Sequence, residues 1–91
     1  MTLTPAELHV ARTILMLSDL ADSDAEIAAC LNHLALPQPS NLPWNVEAVR
    51  EAIPDAYASV TSLPDYSNTQ LNFYDSVLTI VRKQGQNRHV H

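Results

Sequence analysis

Few side chains in this sequence have a type and a spacing suited to catalysis or metal binding. Cys30 is the only cysteine and flanks the apolar face of a predicted helix, so it is interpreted as a small core residue. His89 and His91 have a His-x-His spacing that could chelate a transition metal, but no cysteine or carboxylate cluster accompanies them. No Ser/His/Asp order, paired acidic motif or glycine-rich phosphate loop is present. We therefore predict a protein that is not an enzyme, with no cofactor and no metal site.

The residues suited to contacting phosphate are concentrated near the C-terminus. Residues 1–66 contain nine acids and two arginines, a balance of −7, whereas residues 67–91 contain one acid and three basic residues, a balance of +2. The three basic residues, Arg82, Lys83 and Arg88, could contact a nucleic-acid backbone through a few ion pairs. Their alternative role is to stabilise the end of the last helix and keep the chain end soluble. An acidic body repels phosphate, so composition alone does not point to nucleic acid.

The composition favours one small helical domain. The chain is 46% hydrophobic and has a single glycine, which fits helices with rigid connections better than a β fold that needs glycine turns. One cysteine cannot form an intrachain disulfide, which suits a reducing cytosol. The longest apolar stretch, residues 13–17, is too short to span a bilayer, and no basic segment precedes it as in a signal peptide. We predict a cytoplasmic protein that does not contact a membrane.

The first two helices are predicted from matching start signals. Thr4 and Glu7 have the spacing of a capping box, and Ser23 and Glu26 repeat that spacing. The apolar residues of the second helix fall on one buried face: Ile27, Leu31 and Leu34. The prolines that follow prevent the helix from continuing, so the connector of residues 37–43 is predicted to be extended and stiff.

A third helix is predicted after the connector. Asn45 can cap it, Val49 points inward, and Pro54 either ends or kinks it. Residues 55–63 favour a short separate helix because of their alanines, with extended chain as the alternative. Trp44, just before the third helix, is predicted to fold back over the preceding helix and seal the turn, a contact worth about 2–3 kcal/mol.

The last helix has the clearest boundaries in the sequence. Ser67 or Asn68 can cap its start, and Gly85 offers a left-handed stop, which leaves residues 86–91 as a flexible tail. Its broad apolar surface is interpreted either as core within one subunit or as a homodimer or partner interface. The residues assigned to that interface are Leu71, Tyr74, Leu78 and Val81.

Together these patterns predict an all-α fold. Residues 1–85 form a single bundle of four to five helices, which contains a helix-turn-helix with an extended proline-rich turn at about residues 23–53. The residues that hold this unit together are predicted to be Trp44, Ile27, Leu31, Leu34 and Val49.

The segment EIAACLNHLALPQPSNLPWNVEAVREAI resembles the region after the catalytic domain of large serine recombinases and related mobile-element proteins. The matching residues, in order and spacing, are Glu26, Ile27, Ala28, Leu31, Asn32, Leu36, Pro37, Pro39, Trp44, Val49 and Arg50. The resemblance covers residues 22–53, about a third of the chain. Ala35 stands where the family has a turn glycine, and Ser40 and Asn41 replace a usual Arg-Gly pair. The catalytic domain of these recombinases is missing, so the resemblance implies no strand cleavage.

What the resemblance implies is a small helix-turn-helix regulator of a phage or other mobile element that binds double-stranded DNA. The third helix would enter the major groove and present Asn45, Glu47 and Arg50 to bases and phosphates. A homodimer would place two such helices in successive grooves, with the basic residues near the C-terminus on the flanking backbone.

The alternative is an acidic protein-binding module that inhibits or modulates a basic, nucleic-acid-binding host protein, since charge complementarity would then choose the partner. The surface around Arg50 distinguishes the two hypotheses. Exposed Glu47 and Glu51 beside it, without a basic rim, would favour the protein-binding module.

Overall fold

The computed structural model describes residues 4–38, 40–60 and 67–89, except for the side chains of residues 85–89. The helices are α1 (Pro5–Leu20), α2 (Asp24–His33), α3 (Val46–Ser59) and α4 (Asn68–His89). The described ranges contain no strand. The predicted all-α fold is therefore confirmed, with four helices in the described ranges.

The first two helices begin at the predicted residues. In α1 the capping box is complete, because the Glu7 N–H donates to Thr4 Oγ1 at 3.2 Å and the Thr4 N–H donates to Glu7 Oε1 at 3.1 Å. In α2 the Glu26 N–H donates to Ser23 Oγ at 3.2 Å. The predicted return bond from Ser23 is wrong, because Glu26 Oε1 instead accepts the N–H of Asp22 at 2.8 Å. Each of these bonds satisfies a backbone donor that the start of a helix leaves open.

Side-chain caps also define the starts of α3 and α4. Asn45 Oδ1 accepts the N–H of Ala48 at 2.8 Å. Ser67 Oγ accepts the N–H of Gln70 at 3.2 Å, and Gln70 Oε1 accepts the N–H of Ser67 at 2.9 Å. Of the two residues predicted as the last cap, Ser67 is therefore the cap, with a glutamine capping box.

The end of α2 is a Schellman turn. Ala35 has a left-handed backbone with φ 55°. The N–H of Leu36 donates to the carbonyl of Leu31 at 3.1 Å, and the N–H of Ala35 donates to that of Asn32 at 3.1 Å. These two bonds are the pair that closes a helix through a left-handed residue, where glycine is the usual choice. The chain thus reverses direction at an alanine before the connector begins.

Pro54 lies inside α3 and does not end it, so of the two predicted alternatives the helix end is wrong and the kink stays a prediction. Residues 55–59 belong to the same helix rather than to a separate one, while residues 61–66 lie outside the described ranges. A proline removes the hydrogen bond to the carbonyl four residues earlier, here that of Arg50. Both residues are on the exposed face of α3, where water can solvate the open carbonyl.

The end of α4 also differs from the prediction. The helix continues through Gly85 to His89, so the predicted stop at Gly85 is wrong. Residues 86–89, which the sequence pattern assigned to a tail, are helical. The flexibility of residues 86–91 stays a prediction.

The core lies where α3 packs against α1 and α2, and α4 packs against α2. The most deeply buried side chains are Leu17, Leu31, Leu78, Val49, Thr13 and Cys30. Thr13 is polar and nevertheless buried, with only 2% of it exposed. Its Oγ1 donates to the carbonyl of His9 at 2.8 Å and lies 3.3 Å from the hydroxyl of Tyr74, so the buried hydroxyl is satisfied between α1 and α4.

Candidate functional site

The connector between α2 and α3 is held by the side-chain amide of Asn32. The N–H of Trp44 donates to Asn32 Oδ1 at 2.8 Å, and Asn32 Nδ2 donates to the carbonyl of Trp44 at 2.9 Å. One amide thus pairs with both backbone groups of a single residue, as a neighbouring strand would. This contact joins the last turn of α2 directly to the residue before the cap of α3.

Trp44 provides a second contact within the connector. Its indole is buried in the core with 6% exposed, and Nε1 donates to the carbonyl of Leu36 at 2.8 Å. Gln38 Nε2 donates to the carbonyls of Leu42 and Pro43, both at 2.8 Å. Side chains therefore satisfy the carbonyls of Leu36, Leu42 and Pro43 without a partner strand.

The residues predicted to hold this unit lie in the core. Ile27, Leu31, Val49 and Trp44 are buried, and Leu34 is half-buried against them. The two amides, Asn32 and Gln38, were not among the predicted residues. The sequence pattern does not distinguish Asn32 from other polar residues of α2, because its bonds join it to a residue 12 positions away.

The three α3 residues predicted to contact DNA are all exposed, but two of them already have structural partners. Asn45 caps the helix through its side-chain oxygen. Arg50 Nε lies 3.2 Å from Asp24 Oδ2, an ion pair between α3 and the first turn of α2. Glu47 is exposed on the same helix. An arginine that pairs with a carboxylate has less net charge to offer a phosphate.

Arg82 is held more tightly than Arg50. Its Nε lies 2.7 Å from Glu26 Oε2, and its Nη2 lies 3.0 Å from Glu26 Oε1, so the pair is bidentate. Asp22 Oδ2 lies 3.4 Å from the same Nη2. The hydrogen bonds from Arg82 lower the pKa of Glu26 despite the opposing effect of burial. This cluster links α4 to the start of α2, which is a structural role.

The remaining predicted phosphate contacts are less constrained. Lys83 is exposed near the C-terminal part of α4. Arg88 belongs to the same helix, but its side chain lies outside the described part of the protein, as do the side chains of His89 and His91. The predicted DNA contacts are therefore divided between two paired arginines, a helix cap and exposed positions on α3 and α4.

An acidic row runs along the exposed face of α3. It consists of Glu47, Glu51 and Asp55, which are spaced four residues apart and all exposed. Arg50 lies beside this row and is itself paired with Asp24. The outward face of α3 is therefore predominantly negative, and such a surface repels phosphate and attracts cations.

A groove of about 390 Å³ lies next to the acidic row, and residues of α1, α3 and the connector line it. Its apolar lining includes Val10, Ile14, Pro37, Trp44, Ala52 and Ala56. Two carboxylates also line it, Glu7 from α1 and Asp55 from α3. Asp55 thus belongs to both the acidic row and the groove. A concave apolar surface with a few polar groups is the usual form of a ligand site.

The four α4 residues predicted as an interface do not share one exposed face. Leu78 and Val81 are buried within the subunit, whereas Leu71 and Tyr74 are half-buried. Different apolar residues of α4 are exposed: Phe73 by 52% and Ile80 by 41%. Self-association through α4 stays a prediction, and Leu78 and Val81 cannot contribute to it without unfolding the core.

Cys30 lies in the core, as its position beside the buried face of α2 indicated. Burial raises the pKa of its thiol to about 11, with a further rise from the negative charge of Glu26. The thiol is therefore protonated at neutral pH and lacks the thiolate form that reacts.

The described side chains include no group of three or more His, Cys, Asp or Glu residues that could hold a metal ion. Over the same part of the chain, no helix combines the length and apolar content needed to cross a membrane. Comparisons with family models, with curated proteins and with solved structures find no match.

Proposed function

We propose that this protein is a non-catalytic, acidic protein-binding module that recognises a basic partner. One observation carries the proposal: two of the arginines predicted to contact DNA, Arg50 and Arg82, form ion pairs with carboxylates of the same chain. The acidic row remains exposed on α3, the helix that carries Arg50. Complementary charge would speed association with a basic partner and help to select it. The partner class we propose is the basic surface of a nucleic-acid-binding protein, which the module would occlude.

A pair of charge-matched variants tests this proposal. The ligand is a synthetic arginine-rich peptide, and its affinity is measured by titration calorimetry. Glu47→Gln combined with Glu51→Gln removes two charges from the acidic row, whereas Asp19→Asn combined with Asp75→Asn removes two exposed charges from α1 and α4. We expect the first pair to weaken binding about tenfold and the second by about twofold or less. Equal effects would contradict a specific role for α3.

A second candidate function is supported by the connector. The Asn32–Trp44 contact and the Schellman turn give α2 and α3 a defined connection, which supports a helix-turn-helix. The proline-rich connector is not extended throughout, because the Asn41 N–H donates to the Gln38 carbonyl at 2.9 Å. Ala35 adopts the left-handed backbone at the position where recombinase-like segments have glycine. In this second proposal the protein is a DNA-binding regulator of a phage or mobile element. Its contacts would come from Asn45, Glu47 and Arg50, helped by Lys83 and Arg88.

Release of Arg50 distinguishes the second candidate from the first. Asp24→Asn removes the carboxylate that pairs with Arg50, while Asp19→Asn changes the net charge equally and leaves that pair intact. If the protein binds DNA through α3, Asp24→Asn should bind a random duplex more tightly than Asp19→Asn in a mobility-shift titration at about 50 mM salt. No shift by either variant or by the parent protein would count against DNA binding, because nonspecific affinity is strong at low salt.

A homodimer and a cytoplasmic location are part of both proposals. The exposed apolar residues of α4, Phe73 and Ile80, are seven residues apart and so lie on one side of the helix. Sedimentation velocity of Ile80→Asp beside the parent protein tests the dimer. A parent dimer that the substitution dissociates would support self-association through α4. A parent protein that is monomeric over the whole concentration series would contradict the dimer.

A further inference from the structure

Building on the proposed function, we propose that the groove between α1 and α3 is the binding site for a cationic amphipathic segment of the partner protein. An apolar side chain of that segment enters the groove and contacts Trp44. Lysine or arginine side chains beside it pair with Asp55 and Glu7. The proposal thus names a site and a ligand class within the broader acidic module.

The shape of the groove follows from small residues at facing positions. Ala6 on α1 and Ala52 and Ala56 on α3 line it, and none of them has a side chain long enough to fill the space between the helices. Because protein interiors are normally packed as densely as crystals, larger residues at these positions would have closed the groove. Its volume of about 390 Å³ falls within the size range of known ligand pockets, about 300–1,000 Å³. The groove is therefore large enough for at least one bulky apolar side chain.

The carboxylates make the groove selective for positive charge. Glu7 lies on the α1 side and Asp55 on the α3 side, so a cation on the ligand meets an acid from either wall. Glu7 Oε1 accepts the N–H of Thr4, and its second oxygen keeps further acceptor capacity. Asp55 continues into the acidic row with Glu51 and Glu47. An anionic or purely apolar ligand would gain nothing from these groups.

Trp44 allows the occupied groove to be observed directly. It is the only tryptophan in the chain and it lines the groove, so its emission reports on what binds there. The probe is a short amphipathic helical peptide made of leucine and lysine, which has no fluorescence of its own in that range. A lysine-only peptide and a leucine–glutamate peptide of equal length separate the contribution of charge from that of apolar contact.

We expect only the leucine–lysine peptide to combine saturable binding with a change in Trp44 emission. Ala52→Arg places a long cationic side chain in the groove, while Ala58→Arg makes the same change on the same helix at an exposed position outside it. Ala52→Arg should weaken binding of the leucine–lysine peptide about tenfold more than Ala58→Arg. Far-UV circular dichroism checks that both variants remain helical. Asp55→Asn, which leaves the apolar lining intact, gives a milder second test if Ala52→Arg unfolds.

The outcomes separate failure of this proposal from failure of the proposed function. If the leucine–lysine and lysine-only peptides bound with equal affinity and without a change in Trp44 emission, binding in the groove would be contradicted. The proposed acidic module would not be. Equal losses of affinity for the leucine–lysine peptide from Ala52→Arg and Ala58→Arg would also contradict binding in the groove. An unchanged affinity in a folded Asp55→Asn protein would contradict it as well. Binding of the leucine–glutamate peptide as tightly as the lysine form would overturn both proposals.

Discussion

Replacing Ala35 with glycine should make the protein more stable. A left-handed backbone costs an L-residue with a Cβ about 1–2 kcal/mol, and glycine avoids that cost. Glycine also gives the unfolded chain more freedom, which opposes the gain by about 0.4–1 kcal/mol. The side chain of Ala35 is exposed, and its N–H bond to Asn32 is kept by glycine, so no packing or hydrogen bond is lost. The expected net gain is about 1 kcal/mol.

Urea denaturation followed by Trp44 fluorescence measures this gain, with thermal denaturation by circular dichroism as the second probe. For a domain of this size a gain of about 1 kcal/mol raises Tm by about 4–8 °C. Ala25→Gly is the matched control, because it makes the same substitution at an exposed, right-handed position of α2. There the change should lower stability by about 1 kcal/mol. The two identical substitutions are therefore expected to have opposite signs.

An Ala35→Gly protein that is as stable as the parent protein, or less stable, would contradict this prediction. That result would mean that residue 35 is not left-handed, and the Schellman turn would then not exist. Ala35→Val provides an independent check, since a β-branched side chain is worse than alanine at positive φ and should destabilise the fold. A stable Ala35→Val protein would argue against the same turn.

Three further predictions concern contacts elsewhere in the fold. Asn32→Ala leaves both backbone groups of Trp44 without their partner and should lower the free energy of unfolding by about 1–3 kcal/mol in urea titration, and an unchanged midpoint would contradict the contact. Because the folded pKa of Glu26 is lowered from its ordinary value of 4.5, its stabilisation is present above that value and is lost as pH falls through the folded pKa. The stability difference between the parent protein and Glu26→Gln should therefore shrink as pH falls below 4.5, and a constant difference would contradict this. Leu78→Ala should cost about 2–5 kcal/mol in chemical denaturation, whereas Phe73→Ala on the exposed side of α4 should cost far less; similar values would contradict the assigned burial.

The features that the sequence predicted are those that depend on a few neighbouring residues. The caps Thr4, Ser23 and Asn45 each bond to a backbone N–H three residues away, so the spacing alone predicts them. The spacing of the apolar residues in α2 likewise predicted which face of the helix is buried. The sequence left open whether Pro54 ends or kinks α3, because a proline is tolerated inside a helix where the carbonyl that it leaves open faces water, and exposure is a tertiary property.

The candidate site was less predictable, because its contacts join distant parts of the chain. Arg82 lies 56 positions from Glu26, and Arg50 lies 26 positions from Asp24. The sequence shows these charges but not which of them pair, so both arginines are predicted from it to contact DNA. The groove was missed for a similar reason, since an alanine in an amphipathic pattern does not reveal whether a neighbouring helix fills the space beside it.

The way Gln38 closes the connector has a consequence for changes in chain length. Its amide reaches across to the carbonyls of Leu42 and Pro43, so Ser40 and Asn41 lie at an exposed tip beyond a closed ring. Extra residues inserted at that tip would lengthen the loop between Gln38 and Leu42. Each doubling of loop length raises the entropic cost of closing the loop by about 0.6 kcal/mol. The position of α3 relative to α2 is fixed outside this loop, by the contact of Asn32 with the backbone of Trp44. Insertions, epitope tags or attached dyes between Ser40 and Asn41 would break the bond from the Asn41 N–H to the Gln38 carbonyl, but we expect them to leave the Asn32–Trp44 contact between the two helices in place.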